Sequence, residues 1–431
     1  MKEHEGGRVI VPADEAFTCV DGVVYKVQIP VVGETDITDY KKIKDSVDYF
    51  FDIPEESPKY IANVDKNGYG LLHVSTKRLK SRKLFSWGNQ DASDRWQEFL
   101  TDQAGRYIEI QAGLAPTQYG CIPMAPHTAW EWLEQYGAVQ LPEGMRDQEH
   151  RERCQYLTTE LRRKHVSDKL EKKLSDTRSM ARKKAEIIQC GNGYGAMREI
   201  SALTSHLEFR LEQKSLKNWK GFFDTSVLHC PDAQEVPDEF MINEENLDFL
   251  KQSMAEKNST NWYAYYHLGV GYYIAGKYKK AKKALQESLS IKENPWAYHA
   301  LSCVYLLFEK NKKAEKAIIK GMKMRISDSA YLKEGFRILS LCQAYKELCD
   351  FYKKLDKKVQ SINRIRFYYI SAFHKLGKNK KALSLLEQDG GLELEDIREG
   401  EDSIGLLWQE LHAELYGEEG KIPHQYNFKS F

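Results

Sequence analysis

YYHLGVGYYIAGKYKKAKKAL, residues 265–285, is answered 33 residues further on by YHALSCVYLLFEKNKKAEKAI, residues 298–318. Tyr265, Leu268, Gly269, Tyr272, Gly276, Ala281 and Leu285 set a template, and Tyr298, Leu301, Ser302, Tyr305, Ala314 and Ile318 repeat it at matching offsets. A period of this size, with apolar residues at helical spacing and a break near Gly276, predicts stacked helix pairs. Small residues at Ala281 and Ala314 let paired helices approach, while Tyr272 and Tyr305 fill the gap to the next pair. Phe373, Gly377, Ala382 and Leu386 form a further, degenerate copy, beyond an expected helical pair around residues 330–355.

This pattern fits the tetratricopeptide template, so residues 241–418 are expected to be tetratricopeptide-like repeats and residues 419–431 a C-terminal tail. Residues 143–186 are rich in Glu, Lys, Arg, Leu and Ala without proline, which predicts long polar helices within a helical bridge, residues 141–240. Residues 1–140 read differently, with short apolar runs between turn clusters such as VDKNGYG (64–70) and WGNQDASD (87–94). Expected strands are Val23–Val32, Tyr60–Val64, Leu71–Ser75, Lys83–Ser86, Arg106–Ala112, Tyr119–Met124 and Thr128–Leu133, with residues 39–54 a loop. The fold class is thus β plus all-α, an antiparallel β-sandwich followed by an α-helical solenoid.

The 431 residues are 42% hydrophobic and 29% charged, a balance able to bury real cores. The net charge of +1 conceals an acidic first part, 16 basic against 24 acidic residues over 1–150, and a basic remainder, 48 against 39. The positive excess is spread along the helical region, so no nucleic-acid partner is expected. No apolar run is long enough to span a bilayer, so no membrane partner is expected either. The start, MKEHEGGRVIVPADEAF, shows no secretory pattern, which makes the cytoplasm the expected location. Eight scattered cysteines without C-x-x-C predict reduced, mostly buried thiols and no metal site. No cofactor is expected: Cys190-Gly-Asn-Gly-Tyr-Gly195 lacks both a preceding strand and a Walker lysine. There is no H-E-x-x-H and no G-x-S-x-G, so zinc hydrolysis and serine chemistry have no support.

Candidate site residues cluster in the first third. In RYIEIQAG (106–113), strand periodicity puts Tyr107, Glu109 and Gln111 on one face and Ile108, Ile110 and Ala112 on the other. A carboxylate between a phenol and an amide is suited to general acid–base work or to accepting sugar hydroxyls; an ordinary solvent-facing strand presents the same pattern. Glu109 is the candidate catalytic group, with Tyr107, Gln111 and Gln118 as substrate-binding residues. Trp87, Trp130 and Trp132 are candidate stacking surfaces for a sugar ring, or sandwich core. Lys77, Arg78, Lys80, Arg82 and Lys83 form a basic cluster between two strands, expected to be a solvated hairpin rather than an anion site.

The stretches GYGLLHVSTKRLKSRKLFSWG (68–88), DRWQEFL (94–100), YIEIQAGLAPTQYGCIPM (107–124) and TAWEWLEQYG (128–137) resemble a bacterial family of unknown function. Its members pair a galactose-mutarotase-like β-sandwich with C-terminal tetratricopeptide repeats. GNGYGAMRE (191–199), LEDIREGEDSIGLLW (394–408) and IPHQYNF (422–428) are similar to later blocks of that family. The resemblance implies a carbohydrate-facing sandwich, here without its beginning, with glycosidase-like or epimerase-like activity. Glu109-Ile-Gln111 is similar to the Glu-x-Gln of mutarotases, which implies Glu109 as acid/base; His73 and His127 are the histidines available as a partner. Two readings therefore stand. One is a glycan-processing protein, complete or as one subunit of a split enzyme; the other is a non-catalytic scaffold holding a glycan or a peptide in the repeat groove.

Overall fold

The computed structural model describes residues 6–102, 104–191, 193–197, 207–210, 214–237 and 239–429. Two compact units result: the first comprises Met1–Lys183, Arg398–Leu406 and Lys421–Phe431, the second Lys184–Ile397 and Leu407–Gly420. Asn192 and residues 198–199, in the stretch resembling a family block, lie outside the described residues.

The first unit has eleven described strands: β1 (Arg8–Ile10), β2 (Glu15–Val20), β3 (Val23–Gln28), β4 (Val31–Val32), β5 (Thr35–Asp36), β6 (Val47–Phe51), β7 (Lys59–Val64), β8 (Tyr69–Ser75), β9 (Ser81–Ser86), β10 (Ile108–Gly113) and β11 (Glu134–Gln140). They form a four-stranded sheet, β1-β7-β8-β11, and a five-stranded sheet, β10-β9-β6-β2-β3, with β4-β5 as a small ribbon. All pairings are antiparallel. Every residue of β7 is buried, and its alternation serves two cores. Ile61 joins Val9, Ala16, Tyr49, Phe51, Leu84 and Ile108 between the sheets. Tyr60, Ala62 and Val64 face the other way, onto Leu157, Leu161 and Leu170 of α2 (His150–Arg163) and α3 (Val166–Ala181). These two helices thus complete the first unit instead of opening a bridge at residue 141, because their leucine stripe covers the second apolar face of the sheet.

Several expectations are corrected. Tyr119–Met124 and Thr128–Leu133 are not strands; Pro123 and Pro126 cannot donate to a ladder. Residues 39–54 are not simply loop: they contain β6, whose outward Asp48 and Phe50 obscure its alternation. DASD, read as turn, opens α1 (Asp91–Thr101). Trp96 of that helix stacks on Trp87 and donates Nε1–H to the Phe428 carbonyl at 2.9 Å. Asp91 and Glu98 each accept from His424 at 2.8 Å, so the expected tail docks on α1. Three of the eight cysteines are buried, fewer than expected.

The basic cluster is also divided. Lys77, Arg78 and Lys80 border a cleft of about 850 Å³ with Trp130, whereas Arg82 is fully buried and Lys83 nearly so. The Arg82 guanidinium donates to the Lys59 carbonyl of β7 (2.8 Å), Ser75 Oγ of β8 (2.6 Å), and the Leu79 and Ser81 carbonyls (3.0 and 2.9 Å). It therefore joins the two sheets where the chain crosses between them. Burial lowers its pKa to about 10.

In the second unit, α4 (Gly193–Met197), α5 (Lys214–Thr225) and α6 (Glu244–Ser253) precede the pairs α7 (Trp262–Ile274)/α8 (Tyr278–Ile291), α9 (Pro295–Leu307)/α10 (Asn311–Met324), α11 (Ser329–Leu341)/α12 (Tyr345–Tyr352) and, after the short α13 (Lys357–Gln360), α14 (Asn363–Lys375)/α15 (Asn379–Glu387). A last helix, α16 (Ser403–Tyr416), runs across the unit boundary. Asn261, Asn294 and Asp328 cap the first helices of three pairs through their side-chain oxygens, leaving fewer orphan amides. The turn inside each pair adopts a left-handed backbone at Gly276, Glu309, Gln343 and Gly377, one per repeat at a spacing of 33 or 34 residues. Five residues on, Ala281, Ala314, Leu348 and Ala382 are all fully buried. A Cβ on Gly269 would lie 2.6 Å from Leu285 Cγ, so α7 and α8 meet without room for a side chain there.

Arg82→Ala is expected to lower unfolding free energy by about 3–5 kcal/mol, since it strands buried acceptors from both sheets. Denaturant titration checks this, and a loss below about 1 kcal/mol would show that the sheets do not depend on the guanidinium.

Candidate functional site

The outer face of the five-stranded sheet collects most of the residues singled out in the sequence. Register places Glu109 beside Phe85 and Gln111 beside Lys83, and these in turn beside Asp48 and Phe50. Gln111 Nε2 donates to Glu109 Oε2 at 2.9 Å. Lys83 Nζ lies 2.7 Å from Asp48 and donates to Gln118 Oε1 at 3.0 Å. Tyr119 closes one end, its hydroxyl donating to Asp48 at 2.9 Å and its ring set edge-on against Phe50. At the other end Trp87 packs edge-on to Phe85 and Tyr107 and is 6% exposed, so it is wall material and not a stacking platform.

Trp130 and Trp132 are not brought to this face. Half-buried Trp130 lines the 850 Å³ cleft with Lys77, Arg78, Glu131 and Arg178, and Arg178 pairs with Glu131. Trp132, 41% exposed, donates to Glu134 at 3.1 Å. His73 is buried, stacks on Tyr136 and bonds Glu134; burial is the main reason its pKa falls to about 4. It belongs to β8 in the other sheet, and so is not the partner acid for Glu109. His127 is exposed in the loop between β10 and β11.

Sequence reasoning assigned no residues to the second unit's surface, yet a depression of about 280 Å³ lies there. Phe240, Tyr266, Val270, Tyr273, Ile274, His299, Ala300 and Cys303 line it, almost all from α7 and α9, the first helices of consecutive pairs. These positions fall between the template positions, so a repeat pattern alone passes over them. His299 Nε2 lies 3.5 Å from Glu334 of α11 and 4.0 Å from Cys303 Sγ. One nitrogen makes both contacts, so they do not form a nucleophile–base–acid relay. Burial opposes protonation of His299, but its bonds to Cys303 and Glu334 outweigh that and raise its pKa to about 9. Arg337, with His299 second, pulls Glu334 down to about 2. Farther along, Lys333 of α11 (2.9 Å) and Arg364 of α14 (2.8 Å) converge on Asp396.

The architecture is therefore that of a β-sheet unit joined to tetratricopeptide-type helical repeats. Residues 34–127 match a family described as a domain of unknown function, DUF5107. Over 99% of its length the fold is similar to a crystal structure of a TPR-domain containing protein from Parabacteroides distasonis, at 14% identity and a TM-score of 0.58. This chain spans 65% of that protein's length. A third of it aligns with 74% of YrrB, described as a TPR protein with an unusual peptide-binding site, at 20% identity and a TM-score of 0.29. Among the described residues no helix is long and apolar enough to cross a membrane.

His299 gives the groove a pH signature. Its pKa in the folded chain exceeds the ordinary 6.5, so its contribution to stability is fully present below about pH 6.5 and is lost as pH rises through about 9. Glu334 acts in the opposite sense, with a contribution present above 4.5 and lost as pH falls through about 2. Thermal unfolding of the full chain should show the alkaline loss, and His299→Asn should flatten it over that window. An unchanged pH profile in the variant would remove His299 as its source.

Proposed function

We propose that the chain is a binding scaffold whose helical repeats hold an extended acidic segment of a protein partner. An unknown-function domain joined to a repeat array suits a scaffold or binding role, and solenoids offer extended surfaces for such contacts. One observation carries the acidic preference: Lys333 and Arg364, on the first helices of two pairs, grip the Asp396 carboxylate of the chain's own irregular segment. The apolar depression beside the His299–Glu334–Arg337 cluster is suited to the same chemistry, with aliphatic and aromatic lining for anchor side chains and, with His299 protonated, one net positive charge for carboxylates.

The test uses Ile274, which is 63% exposed in the depression. A fluorescein-labelled peptide of alternating Leu and Glu should bind the full chain with a salt-sensitive affinity. Ile274→Glu is expected to weaken it by at least about tenfold, while Ile274→Lys retains it. Equal loss in both variants would reject the charge preference; no effect of either would reject the groove.

A second reading is favoured by the face around Glu109. Glu109 and Asp48 share it on opposite sides of Phe85, so their Cα atoms lie about 10 Å apart at ordinary strand spacing. We infer a carbohydrate ligand there, with Glu109 as acid/base and Tyr107, Gln111 and Gln118 as orienting groups. Trp130 stacks a sugar ring only if the ligand extends into the neighbouring cleft. Glu109→Gln should abolish turnover of a responsive oligosaccharide without changing the melting temperature, and retained turnover would remove Glu109 from the mechanism.

A further inference from the structure

Before α6, residues 228–237 and 239–241 lie against the repeats as a strap tied at several points by its backbone. Asn258 Oδ1 accepts from the Leu228 amide and Asn261 Nδ2 donates to the Leu228 carbonyl. Trp296 Nε1 donates to the Ala233 carbonyl at 3.1 Å, and Arg325 Nη1 to the Gln234 carbonyl at 2.8 Å. Met241 is buried in the same core. Between these anchors Phe240 stands 44% exposed, its ring 6.1 Å from Tyr266 and 5.1 Å from His267. It is both part of the depression's lining and the cover over what lies beneath.

Beneath it is His267, with no exposed surface and with neither ring nitrogen hydrogen-bonded. Trp219, Tyr263, Tyr266 and Phe240 surround it, and the indole N–H of Trp219 is also unpaired. A buried polar group without a partner costs about 1–3 kcal/mol, a penalty folded proteins rarely carry without a reason.

Resting on the groove-binding reading above, we propose that Phe240 is a gate. Rotation of its side chain, with the strap left anchored, opens the depression to His267, which then pairs with a carboxylate of the incoming acidic segment. The closed form accounts for the orphaned imidazole, since its N–H finds an acceptor only when the site is occupied. Specificity follows from the same geometry. An apolar peptide gains nothing from reaching His267, whereas a Glu or Asp side chain gains a charge-assisted bond in surroundings of low dielectric.

The experiment titrates the Leu/Glu peptide into the full chain, wild type and two variants, with melting temperatures recorded in parallel. Phe240→Ala removes the cover from a site that is partly exposed, and should bind about tenfold more tightly because less of the population is closed. His267→Leu puts an apolar side chain of similar size in its place and removes the unpaired nitrogens. It should melt no lower than wild type and bind about tenfold more weakly. Wild-type affinity in Phe240→Ala would overturn the gate, even if His267→Leu failed to fold; wild-type affinity in a folded His267→Leu would overturn the carboxylate pairing. If Ile274→Glu abolishes binding while neither of these variants changes it, the groove stands and the gate falls. If all three bind as wild type does, both fall.

Discussion

The two sheets are tied together by the buried guanidinium of Arg82. Arg82 lies where the chain leaves β8 and enters β9, the crossing from one sheet to the other, and its two Nη groups donate to oxygens of β7, of β8, of the connection and of the first residue of β9. Each sheet has its own ladder, and the apolar core between them is indifferent to register. The guanidinium is not, because a fork of fixed shape meets four acceptors only if the strands stand in one relation to one another. The outer face inherits that registration. Glu109, Phe85 and Asp48 form a row across three strands because β9 is held in place from behind.

The helical unit is organised by a different rule. Its regularity lies in the backbone, where the left-handed turn recurs once per pair even though glycine occupies it only twice. At the other two turns, Glu309 and Gln343 adopt a conformation that L-residues accept at some cost. The fully buried side chain that follows sets how closely the paired helices approach. With the core positions committed to this stacking, residues between them on the first helices line the depression. The depression thereby acquires an apolar lining that includes His299.

How much of this was visible in the sequence varies with the physics. The pairs α7/α8 and α9/α10 declare themselves because alanine, glycine and tyrosine recur at fixed offsets. The third pair is muted, since Leu348 stands where its neighbours have alanine and Gln343 where two of them have glycine. Among the strands, β7 to β10 are legible as short runs containing apolar residues between turn clusters. β6 is not, because its outward Phe50 breaks the alternation. The aromatic stretch 119–133 misleads in the opposite direction: tryptophans and tyrosines suggest strands, but two prolines leave it as loop. The polar row at 107–111 is readable from period two alone. That Trp87 is covered by α1, and that Arg82 is a staple and not a surface charge, depend on contacts between elements distant in sequence. The gate over His267 was invisible for the same reason.

The docking of residues 424–428 on α1 also orders events in time. The first unit draws on residues 398–406 and 421–431, with most of the repeat array synthesised in between. At ~5–20 residues per second, the ribosome takes on the order of ten to fifty seconds to pass from residue 183 to residue 421. Throughout that interval Trp96 has no Phe428 carbonyl to bond and α1 has no His424 to bridge its carboxylates. The pairs α7/α8 to α14/α15, which end at Glu387, can therefore pack before this docking, whereas both units wait for residues beyond 406 to be completed.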